Sequence, residues 1–267
     1  MISLVKGQFF GDTGHTLAFD GITLTDTVYT HPRVDWHFHE QAYFTFILQG
    51  AVIEGDRREE YECPAGTLLF HHWQEPHYNS KPPGFTRGFH IEIERSWIDG
   101  MDQGKLPEGS SRIGDPAPKT IVRQLFREMK SGTTSIAATE SLVTGLLGNM
   151  VTADQQRFTT VPRWVKKARE LFHDTDTMDL GLAEIAAFVQ VHPVHFSRGF
   201  AKYFGCTLGE YQRMVRVEKS ANLMTDYSRS LTDIGYECGF ADQSHFTRCF
   251  RKVYGHTPKA FRALLTR

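Results

Sequence analysis

No apolar run in these 267 residues approaches the roughly 20 needed to cross a bilayer. Residues 1–10 lack the basic start, apolar stretch and small-residue cleavage site of a secretory signal. Cysteine is scarce: Cys63, Cys206, Cys238 and Cys249 are the only four, with no CxxC spacing. That excludes a dense disulfide framework and leaves reduced thiols packed as small hydrophobes. Also missing are a glycine-rich loop to cradle phosphates and a serine or cysteine nucleophile motif. The expectation is a cytoplasmic chain with no membrane partner.

Net charge is also small, −1, but it hides an asymmetry: residues 163–267 carry +5 and residues 1–162 carry −6. Only the C-terminal part is suited to a polyanion. Apolar residues make up 40% and charged residues 23%, enough to bury one large core or two ordinary ones.

Residues 1 to about 95 read as short strands. Thr23 to Tyr29 alternates β-branched and polar residues. Phe44–Leu48 and Ala51–Ile53 flank Gln49-Gly50, which predicts a hairpin. Phe89, Ile91 and Ile93 point one way, His90, Glu92 and Glu94 the other. The spacing suggests a sandwich or barrel. Asp99–Pro118, rich in glycine and proline, reads as a linker. Ile121, Val122, Leu125, Phe126 and Met129 then share one helical face, as do Leu142, Val143, Leu146, Leu147 and Met150. These predict a helical hairpin joined near Ser131-Gly132. It serves either as packing on the β domain or as a dimer interface. From Pro162 the chain is helical, starting with Trp164, Ala168, Leu171 and Phe172.

The C-terminal part contains a repeat. His195-Phe196-Ser197-Arg198-Gly199-Phe200-Ala201-Lys202 matches His245-Phe246-Thr247-Arg248-Cys249-Phe250-Arg251-Lys252, 50 residues on. Gly205 and Thr207 match Gly255 and Thr257. Leu182 and Ile185 match Leu231 and Ile234, but at an offset of 49. The slipped residue belongs in a turn, because inside a helix it would rotate the apolar face by about 100°. In each copy a short helix carries Leu182 and Ile185, or Leu231 and Ile234, inward. A turn follows, Val189–Pro193 or Cys238–Asp242, with Gly239 as a helix end and Asp242 as an N-cap. The next helix buries Phe196 and Phe200, or Phe246 and Phe250, four apart. Arg198, Lys202, Arg248 and Lys252 lie away from that face. Gly205 and Gly255 close these helices. Thr207–Glu210 is a capping box opening a helix to about Met224, and Thr257-Pro258 opens the last one.

Short helix, tight turn and basic second helix form a helix-turn-helix, whose second helix enters the major groove. An arginine fork can make two bonds to a guanine edge, worth about 1–3 kcal/mol of discrimination. The later lysines suit phosphates. Two units on one rigid helix could read grooves about 34 Å apart.

The segment Gly239–Pro258 resembles the signature of the AraC/XylS family of transcription regulators, and the likeness extends over about 105 residues. It implies base-reading positions at Val194, His195, Ser197 and Arg198, and at Gln243, Ser244, Thr247 and Arg248. His192-Pro193 departs from the family's small polar cap. Upstream, His37-Phe38-His39 followed by Gly50 resembles the first motif of a cupin barrel, and Pro64-Ala65-Gly66 part of the second. Such a barrel is a frequent sensor in this family. His-x-His on a strand puts both imidazoles on one face. A metal-binding cupin would add a glutamate and a third histidine; along the motif Tyr43 takes the first place and Leu69 the second. Neither His77 nor His90 is required by the spacing to replace them. His71–His77 reads as a turn at the barrel mouth. Trp36, His37, His39, Tyr43, Trp73 and His77 are the expected pocket lining.

The expectation is therefore an α+β chain: residues 1–98 a cupin-like effector-sensing barrel, 99–160 a linker and helical hairpin, 161–267 an all-α double helix-turn-helix. It binds double-stranded DNA in two adjacent major grooves, under control of a small-molecule effector. No metal, cofactor or catalytic residue is expected. A homodimer and RNA polymerase are further candidate partners. The competing readings are a metal-dependent cupin enzyme fused to a DNA-binding module, and an architectural DNA binder with a filled barrel.

Overall fold

Strand alternation decides what each sheet face meets, and on the three central strands of the larger sheet, Ile22–Val28, Ala42–Gln49 and Arg87–Ile93, both faces are buried. A computed structural model describes residues 2–57, 59–100, 106, 109–132, 135–158, 162–173, 180–204 and 206–265. They form two units, Met1–Val151 with Leu264–Arg267, and Thr152–Ala263. The architecture is α+β, sheet-rich first and helical second.

The first unit contains β1 (Ile2–Leu4), β2 (Asp12–Phe19), β3 (Ile22–Val28), β4 (Arg33–His39), β5 (Ala42–Gln49), β6 (Ala51–Gly55), β7 (Glu60–Pro64), β8 (Leu68–His71), β9 (His77–Ser80), β10 (Arg87–Ile93) and β11 (Ser110–Ile113). One sheet has the order β1-β4-β9-β6-β7, the other β11-β8-β5-β10-β3-β2. A short helix α1 (Arg95–Asp99) follows β10, and α2 (Pro116–Ser131) and α3 (Ile136–Phe158) form the expected helical hairpin. Gly132 turns it with φ 70°.

The Gln49-Gly50 hairpin is not formed. β5 and β6 lie in different sheets, and Gly50 carries the chain from one to the other at φ 73°. A Cβ there would fall 2.2 Å from the Phe85 carbonyl oxygen, so only glycine fits. A turn motif between two apolar runs does not distinguish a hairpin from a crossing between sheets. The Asp99–Pro118 linker also needs correction: its Ser110–Ile113 is β11, antiparallel to β8. Residues 101–105, 107 and 108 lie outside the described residues.

On β10, Phe89 faces α2, its ring 5.4 Å from Phe126. In register beside it stand Phe46 of β5 and Asp26 of β3. The alternate row, His90 and Glu92 with Thr25, Thr23, Thr45 and Tyr43 beside them, faces inward. Asp26 is the one acid in the outer row. Arg87 grips it with two bonds, 2.7 and 2.6 Å, and Lys130 of α2 adds a third at 2.6 Å. Burial alone would raise the Asp26 pKa; its two cations hold it below the usual carboxylate range.

The second unit contains α4 (Arg163–His173), α5 (Leu182–Phe188), α6 (Pro193–Phe204), α7 (Leu208–Leu223), α8 (Leu231–Glu237), α9 (Gln243–Tyr254) and α10 (Pro258–Leu265). Trp164, Ala168, Leu171 and Phe172 of α4 pack with Ile185, Phe196 and Phe200. Phe246, Phe250, Tyr254 and Phe261 form the matching second cluster. Leu182 corrects the repeat reading: it is 38% exposed, so Ile185 alone anchors α5 from that pair. The slipped residue is in the turn. Val191 N–H donates to the Ala186 carbonyl, and 49 residues on Phe240 N–H donates to the Gly235 carbonyl. The copies are thus still in step at Phe240, and the extra residue falls just before α9. Gly205 lies outside the described residues; Gly255 ends α9 at φ 71°.

Replacing Asp26 with alanine should destabilise the first unit by about 3–5 kcal/mol, because two buried cations lose their partner. Urea unfolding followed by circular dichroism, with Glu92→Gln as a control outside the ion cluster, checks this.

Candidate nucleic-acid interface and ligand cavity

The buried phenylalanines set the rotation of α6 and α9. Phe196, Phe200, Phe246 and Phe250 are fully buried, which turns the opposite faces to solvent. On α6, Val194, His195, Ser197, Arg198 and Lys202 are all exposed. On α9, Gln243, Ser244, Arg248 and Lys252 are exposed and Thr247 is half-buried. Arg198 and Arg248 make no hydrogen bond or ion pair with any described residue, so their forks are available.

Each helix has a defined start. The Asp242 carboxylate accepts from His245 N–H at 2.7 Å. In the first copy the His192 ring takes that role, its Nδ1 accepting from Val194 N–H at 3.3 Å. The long helix α7 packs on both α6 and α9. Its capping box is formed, with Glu210 N–H on the Thr207 hydroxyl and Thr207 N–H on the Glu210 carboxylate. Buried Glu218 accepts from the Tyr254 hydroxyl at 2.6 Å, locking α9 to α7.

In the first unit the inward rows enclose a cavity lined from both sheets, with about 40 Å³ reachable by the centre of a water molecule. That is room for a few waters or a very small ligand. His37, His39 and Tyr43 line it, as expected. His77 stands against them, its ring centroid 4.1 Å from that of His37 and its Nε2 2.9 Å from the Tyr43 hydroxyl. His77 lies behind the lining, and Trp36 and Trp73 are not part of it. Trp36 neighbours His37 on β4, so alternation sends it outward, where it packs edge-on against Tyr78. Trp73 sits in the turn after β8, beside His72 and Arg95.

Sequence reasoning named His37, His39, Tyr43 and His77 but missed other parts of this site. Leu69, at the place of the motif's third histidine, is in the cavity wall, and β9 returns His77 to His37 and His39. His71 and His77 flank a turn but are themselves buried side by side, ring centroids 4.6 Å apart. Glu54, Tyr29, His90 and Phe9 complete the walls, with Phe9 stacked on His90 at 3.5 Å. The alternation on β10 carried the signal for His90; nothing local marked Phe9 or Glu54.

Burial dominates the electrostatics. It pushes His77 and His90 down to about 3, and lowers His37, His39 and His71 as well. It raises Glu54 strongly and Glu92 to about 7. His37 and His77 donate Nδ1–H to the Asp35 and Glu75 carbonyls at 2.9 and 3.0 Å, which leaves each Nε2 as a lone pair. Three histidines and a carboxylate can hold a metal or accept hydrogen bonds from a polar ligand. The residues present fit a metal in part: three imidazoles converge, and Tyr43 stands where a cupin glutamate would.

Comparison with known proteins agrees with this division. Residues 19–147 match the family model of the AraC-like ligand binding domain, and residues 185–264 match a helix-turn-helix domain. Over both units the chain is similar to transcription regulators of the AraC family. Among AraC-type relatives, an uncharacterized HTH-type regulator, YfiF of Bacillus subtilis, is 24% identical over 85% of this chain and 78% of its own. The transcription factor PqrA of Proteus vulgaris is 41% identical over 26% of this chain and 56% of its own. YpdC of Escherichia coli is 32% identical over 34% and 32%. The chain thus spans about a third to a half of the length of these last two relatives. Among the described residues no helix is long and apolar enough to cross a membrane.

The buried histidines make a pH prediction for the protein with no ligand bound. A histidine lowered in the fold stabilises it above about pH 6.5 and loses that contribution as pH falls toward its folded pKa. The raised carboxyls act oppositely, stabilising below about 4.5 and losing the effect as pH rises, for Glu92 through about 7. Near pH 5, unfolding lets His77 and His90, at about 3 in the fold, gain protons, with the lowered His37, His39 and His71 acting in the same direction; Glu54 and Glu92 act oppositely, and the more numerous imidazoles make the balance an uptake. Amide exchange in β5 and β10 should therefore accelerate steeply from pH 6.5 to 5 after correction for intrinsic rates. A His90→Gln variant should show a slope shallower by one proton.

Proposed function

We propose that the protein is a transcription regulator that reads DNA with α6 and α9 and is controlled by a small polar effector held in the cavity of the first unit. In this reading residues 1–98 hold the ligand, 99–160 connect, and 161–267 bind DNA. The carrying observation is the pair of matched, exposed and unpaired arginines, Arg198 and Arg248, on two helices fixed to one long helix. Arg198 and Arg248 read guanine edges; Lys202 and Lys252 meet phosphates. Val194, His195, Ser197, Gln243, Ser244 and Thr247 face the remaining bases of two adjacent major grooves. The effector contacts His37, His39, Tyr43 and His77, and acts by binding the DNA-competent arrangement with a different affinity from the other. Similarity to a family of regulators favours this over an enzyme.

Selection of bound duplexes from a random pool tests the reading. The expected motif has two short blocks about 10 base pairs apart. It should be lost or relaxed at both blocks in an Arg198→Ala, Arg248→Ala variant, each guanine contact carrying about 1–3 kcal/mol. An unchanged motif in the variant, or no motif with and without cell extract, would overturn it.

A further inference from the structure

We propose that Glu54, His71 and His77 bind one divalent transition-metal ion, of the zinc, cobalt or nickel class, inside the first unit. The ligand set comes from three strands, β6, β8 and β9. Their ligand atoms all lie within 4.8 Å of one another. His71 Nε2 stands 3.6 Å from Glu54 Oε1, too long for a hydrogen bond. It is close to the roughly 3.3 Å that separates two ligands each 2.0–2.1 Å from a tetrahedral ion.

Glu54 supplies an independent observation. Its side chain is 3% exposed and Oε1 has no hydrogen-bond partner. A sealed carboxylate oxygen without a partner is costly, and a cation between it and His71 would satisfy it.

The outer contacts of all three residues are in place. His77 Nδ1 donates to the Glu75 carbonyl at 3.0 Å. His71 Nδ1 meets the Ser110 hydroxyl at 3.0 Å. The second Glu54 oxygen accepts from Asn79. Such partners fix the imidazole tautomer and aim Nε2 at the ion. The rival trio, His37, His39 and His77, also lies within 4.8 Å. Its His39 Nδ1 has no partner, and three neutral rings would leave the charge of a buried ion uncompensated. Glu54 brings a negative charge, and its set is fully supported. One contact must yield: the Tyr43 hydroxyl, 2.9 Å from His77 Nε2, turns away to free that lone pair. The small cavity has room for an ion with a water or two.

The proposal rests on reading the cavity as the ligand chamber, but its test contains no DNA, so its failure and that of the operator selection are separate. The full chain, stripped of metal, is titrated with zinc against a chromophoric chelator and with cobalt by visible absorption. One ion per chain is expected. Glu54→Gln and His71→Gln should each weaken binding by at least about a hundredfold, the upper end of what losing an outer partner costs. Ser110→Ala, which removes only the His71 partner, should weaken it about 10–100-fold. His39→Gln should leave affinity unchanged, and Tyr43→Phe should keep or tighten it. Circular dichroism of each stripped variant reports folding; if a ligand variant does not fold, Ser110→Ala and His39→Gln decide. No ion bound at one per chain, or binding lost in His39→Gln and kept in Ser110→Ala, would overturn the proposal.

Discussion

The first unit depends on one inversion of the ordinary sheet pattern. Its six-stranded sheet turns the apolar row outward, under α2, and the polar row inward. Phe89 packs on Phe126 outside, while His90 takes the Tyr29 and Thr45 hydroxyls inside. Each buried polar atom then needs a partner, because desolvation without one costs about 1–3 kcal/mol. The hydroxyls of Tyr29, Tyr43, Thr45 and Ser110 meet that need for His90, His77 and His71, whereas Thr23, Thr25, His39, Glu54 and Glu92 each keep a buried atom without a partner. The interior becomes a hydrogen-bonded chamber, and shape alone would not explain its composition.

The outer row carries one exception, and it ties helix to sheet. Asp26 sits among phenylalanines and would be untenable alone. Arg87 and Lys130 share it, and the guanidinium and ammonium heads also lie over the Phe126 ring, at 5.6 and 5.8 Å. Lys130 lies in the last turn of α2, where a positive charge suits the helix dipole. A polar residue placed in this way fixes which part of α2 lies over which part of the sheet, something apolar packing specifies less sharply.

Most of the second unit was legible in the sequence. Phenylalanines four apart, a basic residue two positions after the first, and a shared offset are enough to orient a helix, since burial of one face determines the other. The capping residues Asp242 and Thr207 do what their identity suggests. Leu182 was not legible: a short helix exposes one of its two matched apolar residues, and pairwise matching cannot tell which. In the first unit the strands were legible and their partners were not. Gln49-Gly50 could equally close a hairpin or cross between sheets; Glu54 and His77 are joined by the β6–β9 pairing, and His71 meets them from β8 in the other sheet. Local pattern reports which face a residue takes, and long-range register decides whom it meets there.

The turn between the short and long helices has a different backbone solution in each copy. At matched places Gly239 adopts φ 76° and Gln190 adopts φ 61°. The glycine takes this conformation freely, whereas the glutamine holds it at a cost of about 1 kcal/mol or more. The second copy also carries its extra residue just beyond this point, between Phe240 and Asp242. The two units therefore differ by a codon gained or lost, and no series of substitutions converts one into the other. Because that change fell in a turn, where no helical face is rotated by it, the two copies could differ in length while both kept the same exposed basic helix face.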